Sequence, residues 1–401
     1  MCYENRTTPK ASDITPVAIT VPPRLQPRLT LPPRAPYSMT RESGFPVLGK
    51  TSCACQEAER DDGSIKNIPF SRTAIMIVDF QHHFTPRELM PKDLGRRKLV
   101  SYDENGAPSF IMHWMLFDLD EHICMMDEAG IDVAVLTSAA GMCADIDRSR
   151  LCNETAKRAE RDYPGRFIGA AHANPLGGAE ALRELARCKH ELNFPGVVIT
   201  SETDGLYLDA PVFEPFWSAC EKFGLFVFVH PALKLNQTGQ FDGYDTARSV
   251  GREFSLVMAT IRLINSGVFD RHPGLTVHMS HLGGGLSALL GRIRSYQDKD
   301  FWGTLDNARH GMKAKHDFDH YLHHNMVFDT AGFCGAIGAV NSALLEIPVS
   351  RIVFATDYPQ EIRERQAVAD FVNELRALGG NGEAILAGNV GKLISTPARA
   401  A

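Results

Sequence analysis

The sequence predicts an α/β fold of the (β/α)₈, TIM-like barrel class. Three observations carry this. Eight short, nearly continuous apolar runs alternate with helical patterns after residue 72, as buried parallel strands do. Most of these runs end in His or Asp, and barrels place polar chemistry at the C-terminal ends of their strands. No Gly-x-Gly-x-x-Gly follows the first run, which lowers the competing doubly wound open sheet.

The elements follow in order. The first run, Ile75 to Val78, precedes Asp79-Phe80-Gln81-His82-His83-Phe84. Then come strands at 132–136, 167–171, 196–199, 225–229, 276–279, 326–328 and 352–355. Each is apolar and bounded by turn residues, so each is expected to be buried on both faces. Helical spacing of apolar residues marks 119–129, 179–192, 212–223, 254–266, 285–296, 336–345 and 366–378. Pro211 suits the start of the third of these, because its missing N–H is an orphan there anyway. The stretch from Arg87 to about Asp118 reads as an insertion after strand 1, where long loops tend to serve as lids.

Residues 1–72 form the expected first domain, an extended N-terminal arm rich in Pro and Arg; residues 73–401 form the barrel. The arm contains Pro22-Pro23 and Pro32-Pro33 and no apolar periodicity, so it has nothing with which to build a core. A tail, a targeting segment without a secretory apolar core, and a strap around a neighbouring subunit all fit its composition. The whole chain of 401 residues is 44% hydrophobic and 22% charged, with a formal net charge of −6. No basic field calls for nucleic acid, and no apolar run reaches the ~18 residues of a membrane span. Nine cysteines are scattered along the sequence, which suits a reducing compartment and a cytoplasmic protein.

Chemistry is expected where strand ends meet. Alternation along strand 1 puts Gln81 and His83 on one face and His82 on the other. Strand 5 ends in His230, strand 6 in His281, strand 7 in Asp329 and strand 8 in Asp357. A lone strand-end histidine is commonly a satisfied structural residue. Four such ends converging, with His83, His230, His281 and Asp357, suit a divalent ion with an open position, Zn²⁺ first and Mn²⁺ second. His172 and Asn174 end strand 3 and are candidates to line the pocket. His113 and Trp114 in the insertion are candidates for substrate contact. Asp329 is placed as an acceptor behind a metal-bound imidazole or beside substrate. Arg96 and Arg97 read as a charged loop, with anion binding as the alternative.

Ordered along one chain, these motifs resemble the amidohydrolase superfamily, in the branch of aminocarboxymuconate-semialdehyde decarboxylase and the resorcylate-type aromatic decarboxylases. The resemblance rests on residues 79–86, 126–132, 163–167, Leu208-Asp209 with Trp217, Val229-His230-Pro231, His281-Leu282-Gly283-Gly284-Gly285 through Gly291-Arg292-Ile293, and Asp357-Tyr358-Pro359. It implies His83, His230 and Asp357 as metal ligands, His281 as a catalytic histidine with Asp357, and Arg292 in a structural or carboxylate-binding role. Gln81 stands where the branch has His or Glu, so a neutral, weaker oxygen donor completes the metal set.

The reaction implied is metal-dependent nonoxidative decarboxylation of an aromatic or unsaturated carboxylic acid. Two other readings stand beside it: a metal-dependent hydrolase or hydratase on the same site, and a barrel that has lost its metal and only binds. The expected partners are a small carboxylate substrate and a second copy of the chain, as a homodimer or higher homo-oligomer, with neither nucleic acid nor membrane.

Overall fold

The computed structural model describes residues 76–394, apart from 103–107, 236–240, 242, 305–306, 308–309 and 312–313. The expected N-terminal arm lies outside the described residues, all of which belong to the compact unit Gly63–Ala401.

The elements run β1 (Val78–His83), the hairpin β2 (Lys98–Tyr102) and β3 (Pro108–His113), α1 (Leu119–Ala129), β4 (Val133–Thr137), α2 (Ile146–Asp162), β5 (Phe167–Gly169), β6 (Ala171–His172), α3 (Gly178–His190) and β7 (Gly196–Thr200). A small ribbon β8 (Glu202–Thr203) and β9 (Leu206–Tyr207) follows, then α4 (Glu214–Phe223), β10 (Phe226–His230), α5 (Arg252–Asn265), α6 (Val268–Arg271) and β11 (Val277–Met279). Then come α7 (Leu290–Ser295), α8 (Phe318–His324), β12 (Met326–Asp329), α9 (Ile337–Leu344), β13 (Ile352–Val353), α10 (Arg365–Arg376) and short helical turns from Gly380 to Lys392.

The long strands pair in parallel in the order β1-β4-β5 and β6-β7-β10-β11-β12-β13. Only Ala170 separates β5 from β6. On the far side, Phe80 N donates to Phe354 O, Asp357 N donates to Gln81 O, and His82 bridges Tyr358 in parallel, so the last strand meets the first. Eight parallel strands closed in this way fit the expected barrel.

Alternation sorts the core into two layers. Val133, Val135, Val198, Phe226, Phe228, Val327 and Val353 pack together inside. Their neighbours Ala134, Leu136, Val197, Val227, Val229 and Phe328 pack outward with helix residues such as Met125, Leu185, Trp217 and Leu263. Phe226 and Phe228 face in, so His230 does too, at the strand's end.

Strand 1 breaks this rhythm. Val78 and Phe80 belong to the inner layer. A register irregularity between Asp79 and His82 then changes the phase, and Gln81 and His83 turn inward. Such irregularities re-aim side chains beside active sites. The strand runs Val78–His83 and so takes in the polar pair expected at its end.

The 17-residue helix α2 was not legible in the apolar pattern. Its buried face is made of Ser149, Cys152, Asn153, Ala156 and Ala159, small residues that leave no strong hydrophobic stripe. The insertion between β1 and α1 holds the antiparallel β2–β3 hairpin, whose Leu99, Phe110 and Met112 pack on a small cluster of Met90, Leu94 and Leu116. Among the described residues no helix is long and apolar enough to cross a membrane.

Candidate active site

His83, His230, His281 and Asp357 line one cavity of about 320 Å³ with Phe84, Phe110, Ile111 and Leu116. All four polar residues are buried. Two of them hold left-handed backbone, His281 at φ 55° and Asp357 at φ 57°. Strain of this kind persists where the surroundings over-determine it, and it concentrates at functional sites.

The run His281 to Gly285 is five consecutive positive-φ residues. The sequence can follow that path because three of the five are glycine. Gly284 also lets the turn lie against α5, since a Cβ there would sit 1.9 Å from Glu253 O. Gly332 serves the ring itself: a Cβ there would fall 2.1 Å from His281 Cγ. Asp329 accepts from His281 N at 2.9 Å and from His278 Nε2 at 2.7 Å, and so fixes the start of the turn.

His230 donates from Nδ1 to Pro231 O at 2.8 Å, which leaves the Nε2 lone pair free. Burial, then His83, holds its pKa well below the ordinary value, so the ring is neutral. His83 Nδ1 lies 3.2 Å from Thr137 Oγ1, and its Nε2 is 2.7 Å from Asp357 Oδ1. That last contact lacks hydrogen-bond alignment, because Asp357 Oδ1 has no donor. Two acceptors that approach this closely without a shared proton are arranged as ligands to a third body.

His281 sits between two carboxylates, with Nδ1 2.8 Å from Glu253 Oε1 and Nε2 3.3 Å from Asp357 Oδ2. Burial works against its charge, but Glu253 and Asp357 together outweigh it and raise the pKa well above 6.5. Burial pushes the Asp357 carboxyl up, yet His83 and His281 hold it far below the usual carboxylate range. Glu253 was not anticipated, since nothing in its neighbourhood of sequence marks it; only the fold brings α5 against the glycine turn.

The Gln81 amide faces both rings, with Nε2 3.1 Å from His281 Nε2 and 3.5 Å from His83 Nε2. Its buried Oε1 has no donor. Amide orientation follows from the network. With a neutral His281 the amide N–H donates to it and Oε1 is left for a cation; with a protonated His281 the amide turns over and accepts.

Among the described residues, no three His, Cys, Asp or Glu side chains are already closed around one point as a finished metal centre. The donor chemistry nevertheless fits a divalent ion. His83 and His230 offer imidazole nitrogen, and the two donor-less buried oxygens of Asp357 and Gln81 are atoms that a cation would satisfy.

The remaining expected residues do not line this cavity. His172 is buried beneath it; its Nε2 accepts from Ser138 N at 2.9 Å, and Asn153 holds its other side. Asp329 is also fully buried and acts through the His281 backbone rather than on a ligand. Trp114 packs under Arg96, whose guanidinium lies 4.6 Å from the ring centre, while Arg97 pairs with Asp93. Arg292 is exposed on α7 above Tyr296 and lines a separate, larger apolar cavity with Phe254, Met258 and Leu289, so the chain's own site does not contain it. His82 faces outward, as alternation predicted, and bonds Asp79 and His122. His113 is buried with neither ring nitrogen hydrogen-bonded.

The amidohydrolase family pattern matches residues 78–379. A gamma-resorcylate decarboxylase from Rhodococcus jostii is 32% identical over 310 residues, spanning 71% of this chain and 88% of the relative. Another from Rhizobium sp. is 32% identical over 268 residues, 63% of this chain and 80% of the relative. Among solved structures, 2,6-dihydroxybenzoate decarboxylase from Rhizobium superposes with a TM-score of 0.65 at 25% identity, over 80% of this chain and 98% of that one. The 5-carboxyvanillate decarboxylase of Novosphingobium aromaticivorans, complexed with manganese and 4-hydroxy-3-methoxy-5-nitrobenzoic acid, gives 0.64 at 25% identity, over 80% and 96%. The two sequence relatives are thus both named gamma-resorcylate decarboxylases, and this chain belongs to the amidohydrolase family.

Proposed function

We propose that this chain is a metal-dependent nonoxidative decarboxylase of a hydroxylated aromatic carboxylic acid. The observation that carries the reading is His281, set between the Glu253 and Asp357 carboxylates in the cavity that also holds His83 and His230, a placement that favours its protonated form. A decarboxylase needs an acid there. The C–C bond to the carboxylate breaks, CO₂ leaves, and the electron pair left on the ring carbon takes up a proton.

His83, His230 and Asp357 would hold the ion, and the Gln81 oxygen would join them once His281 has given up its proton. When bound, it supplies Lewis-acid polarisation and orients the substrate's carboxylate and neighbouring hydroxyl. The sequence favoured Zn²⁺. The manganese in the Novosphingobium relative and the two oxygen donors here bring the proposal to Mn²⁺. The protein's own residues do the rest. His281 delivers the proton, with Asp357 as its neighbour in the transfer, and Glu253 keeps the imidazole charged and oriented. Phe84, Phe110, Ile111 and Leu116 give the ring apolar walls and exclude water.

The test is a panel of mono- and dihydroxybenzoates with Mn²⁺-loaded and Zn²⁺-loaded protein, read by CO₂ release and by the phenol formed. Release of CO₂ from none of them, with turnover of a lactone or amide instead, would move the site to the hydrolase reading.

A further inference from the structure

The proposed mechanism leaves one cluster of imidazoles unused, on the outside of the barrel. His316, His320 and His324 recur every four residues into and along α8, so they line up on one side of it. Their rings form a column. His316 and His320 stack with centroids 3.9 Å apart and planes 22° from parallel; His320 and His324 stack at 4.1 Å and 21°. His316 and His324 are exposed, and His320 is half-buried between them.

Among the described residues the three rings make one hydrogen bond, from His324 Nδ1 to His320 O at 2.7 Å. A carbonyl only accepts, so Nδ1 carries the hydrogen and the neutral ring presents its Nε2 lone pair. Metal-ligating histidines are oriented in this way, by a backbone acceptor on the other ring nitrogen. Burial, then His316 and His324, lowers the His320 pKa from 6.5 against the pull of Asp317 and Asp270, so this ring is neutral at pH 7. The last turn of α8 adds the partial negative charge of its free carbonyls, which favours a cation there.

We propose that His320 and His324 bind one Zn²⁺, Ni²⁺ or Cu²⁺ ion on the outer face of α8, separate from the catalytic cavity. Two imidazoles at i and i+4 have the spacing with which an H-E-x-x-H helix holds zinc. A tetrahedral ion sets two nitrogens about 3.3 Å apart, which a small splay of the stacked rings supplies. Rings in a column do not converge, and among the described residues no three ligand side chains meet at one point, so water completes the coordination. Imidazole nitrogen selects these ions over Mn²⁺, which prefers oxygen.

The test is calorimetric titration of the tag-free, Mn²⁺-loaded chain with Zn²⁺, with released Mn²⁺ counted by electron paramagnetic resonance. The expected result is one equivalent of Zn²⁺ beyond any that displaces Mn²⁺, and no second equivalent of Mn²⁺ when that ion is added instead. His320→Gln and His324→Gln should each weaken the extra uptake about tenfold or more, because a single imidazole loses the chelate advantage. Mn²⁺ content should stay the same in both variants. His316→Gln should change the affinity by less than about twofold. Zn²⁺ uptake that never exceeds the Mn²⁺ released overturns the proposal. So does an extra equivalent that persists in His320→Gln, which would put the ion on other residues. A loss in His316→Gln with none in His324→Gln overturns the assignment to this pair.

Discussion

Asp79→Asn should cost more than any other single-atom-pair exchange in the chain's first strand, and the reason can be counted. Asp79 is fully buried. Its Oδ1 accepts from Gln81 N at 3.2 Å and Thr356 N at 3.0 Å; its Oδ2 faces His82 Nδ1 at 2.9 Å and Thr356 Oγ1 at 2.5 Å. The relay continues from His82 Nε2 to His122 Nδ1 at 2.9 Å and from His122 Nε2 to Met115 O at 2.5 Å. Met115 O can only accept, so His122 Nε2 carries a hydrogen. Burial keeps His122 neutral, so its Nδ1 is bare. His82 Nε2 then donates to that bare nitrogen, and one proton is shared between His82 Nδ1 and Asp79 Oδ2. An asparagine removes an acceptor oxygen and sets an N–H₂ or a weaker oxygen against donors. Breaking a buried pair from one side costs about 3–5 kcal/mol. At about 2 °C per kcal/mol for a domain of this size, the melting temperature should fall by roughly 6–10 °C. Because Gln81 and Thr356 flank His83 and Asp357, metal retention should fall as well. Melts of Asp79→Asn, His82→Gln and the double variant, with metal content measured on each, give the coupling. A melting temperature unchanged in Asp79→Asn, or strictly additive losses, would refute the coupled Asp79–His82 account.

The remaining predictions concern the site. Glu253→Gln should lower kcat by about 10²–10³-fold, the usual worth of a positioned acid, while metal content stays the same. Gln81→Glu should bind the metal more tightly, seen as slower loss to a chelator, because a carboxylate replaces a neutral amide at a donor-less oxygen. Gly332→Ala should remove most activity while the fold persists by circular dichroism, since its Cβ would meet His281 Cγ at 2.1 Å. Burial, partly opposed by the Ser138 hydrogen bond, lowers the His172 pKa from 6.5 to about 3. Between those values the unfolded chain binds the proton and the folded one does not. Stability is therefore full above pH 6.5 and declines toward pH 3, with a slope of up to about 1.4 kcal/mol per pH unit that His172→Gln should flatten in parallel melts.

The strands were legible because a buried parallel strand leaves little choice of residue. Val197 to Ile199 and Val227 to Val229 are apolar on both faces, since one face meets the helices and the other the barrel interior. Helix α2 failed the same reading because helices that pack closely on a sheet can do so with Ala, Cys and Ser, which carry almost no periodic signal. Its boundaries were nonetheless written in the sequence as an N-cap: Asp145 accepts from Arg148 N at 2.9 Å.

In the site, the legible part was whatever a single strand end fixes. His83, His230 and Asp357 arrive together because each terminates a strand of the same closed sheet. What escaped was set by two segments touching. Glu253 reaches His281 only because the glycine turn after β11 lies on the first turn of α5, and Arg252 enters the cavity for the same reason. Arg292 shows the converse. Its motif follows the glycine run closely in sequence, yet five left-handed residues and a turn redirect the chain, and α7 carries it out to the surface. Glycine runs of this kind therefore have a predictable effect on inference: they make the residue before them easy to place and the residues after them hard. The histidine at 281 could be assigned from its strand; the arginine eleven positions on could not, because its direction depends on left-handed dihedrals that no side-chain pattern encodes.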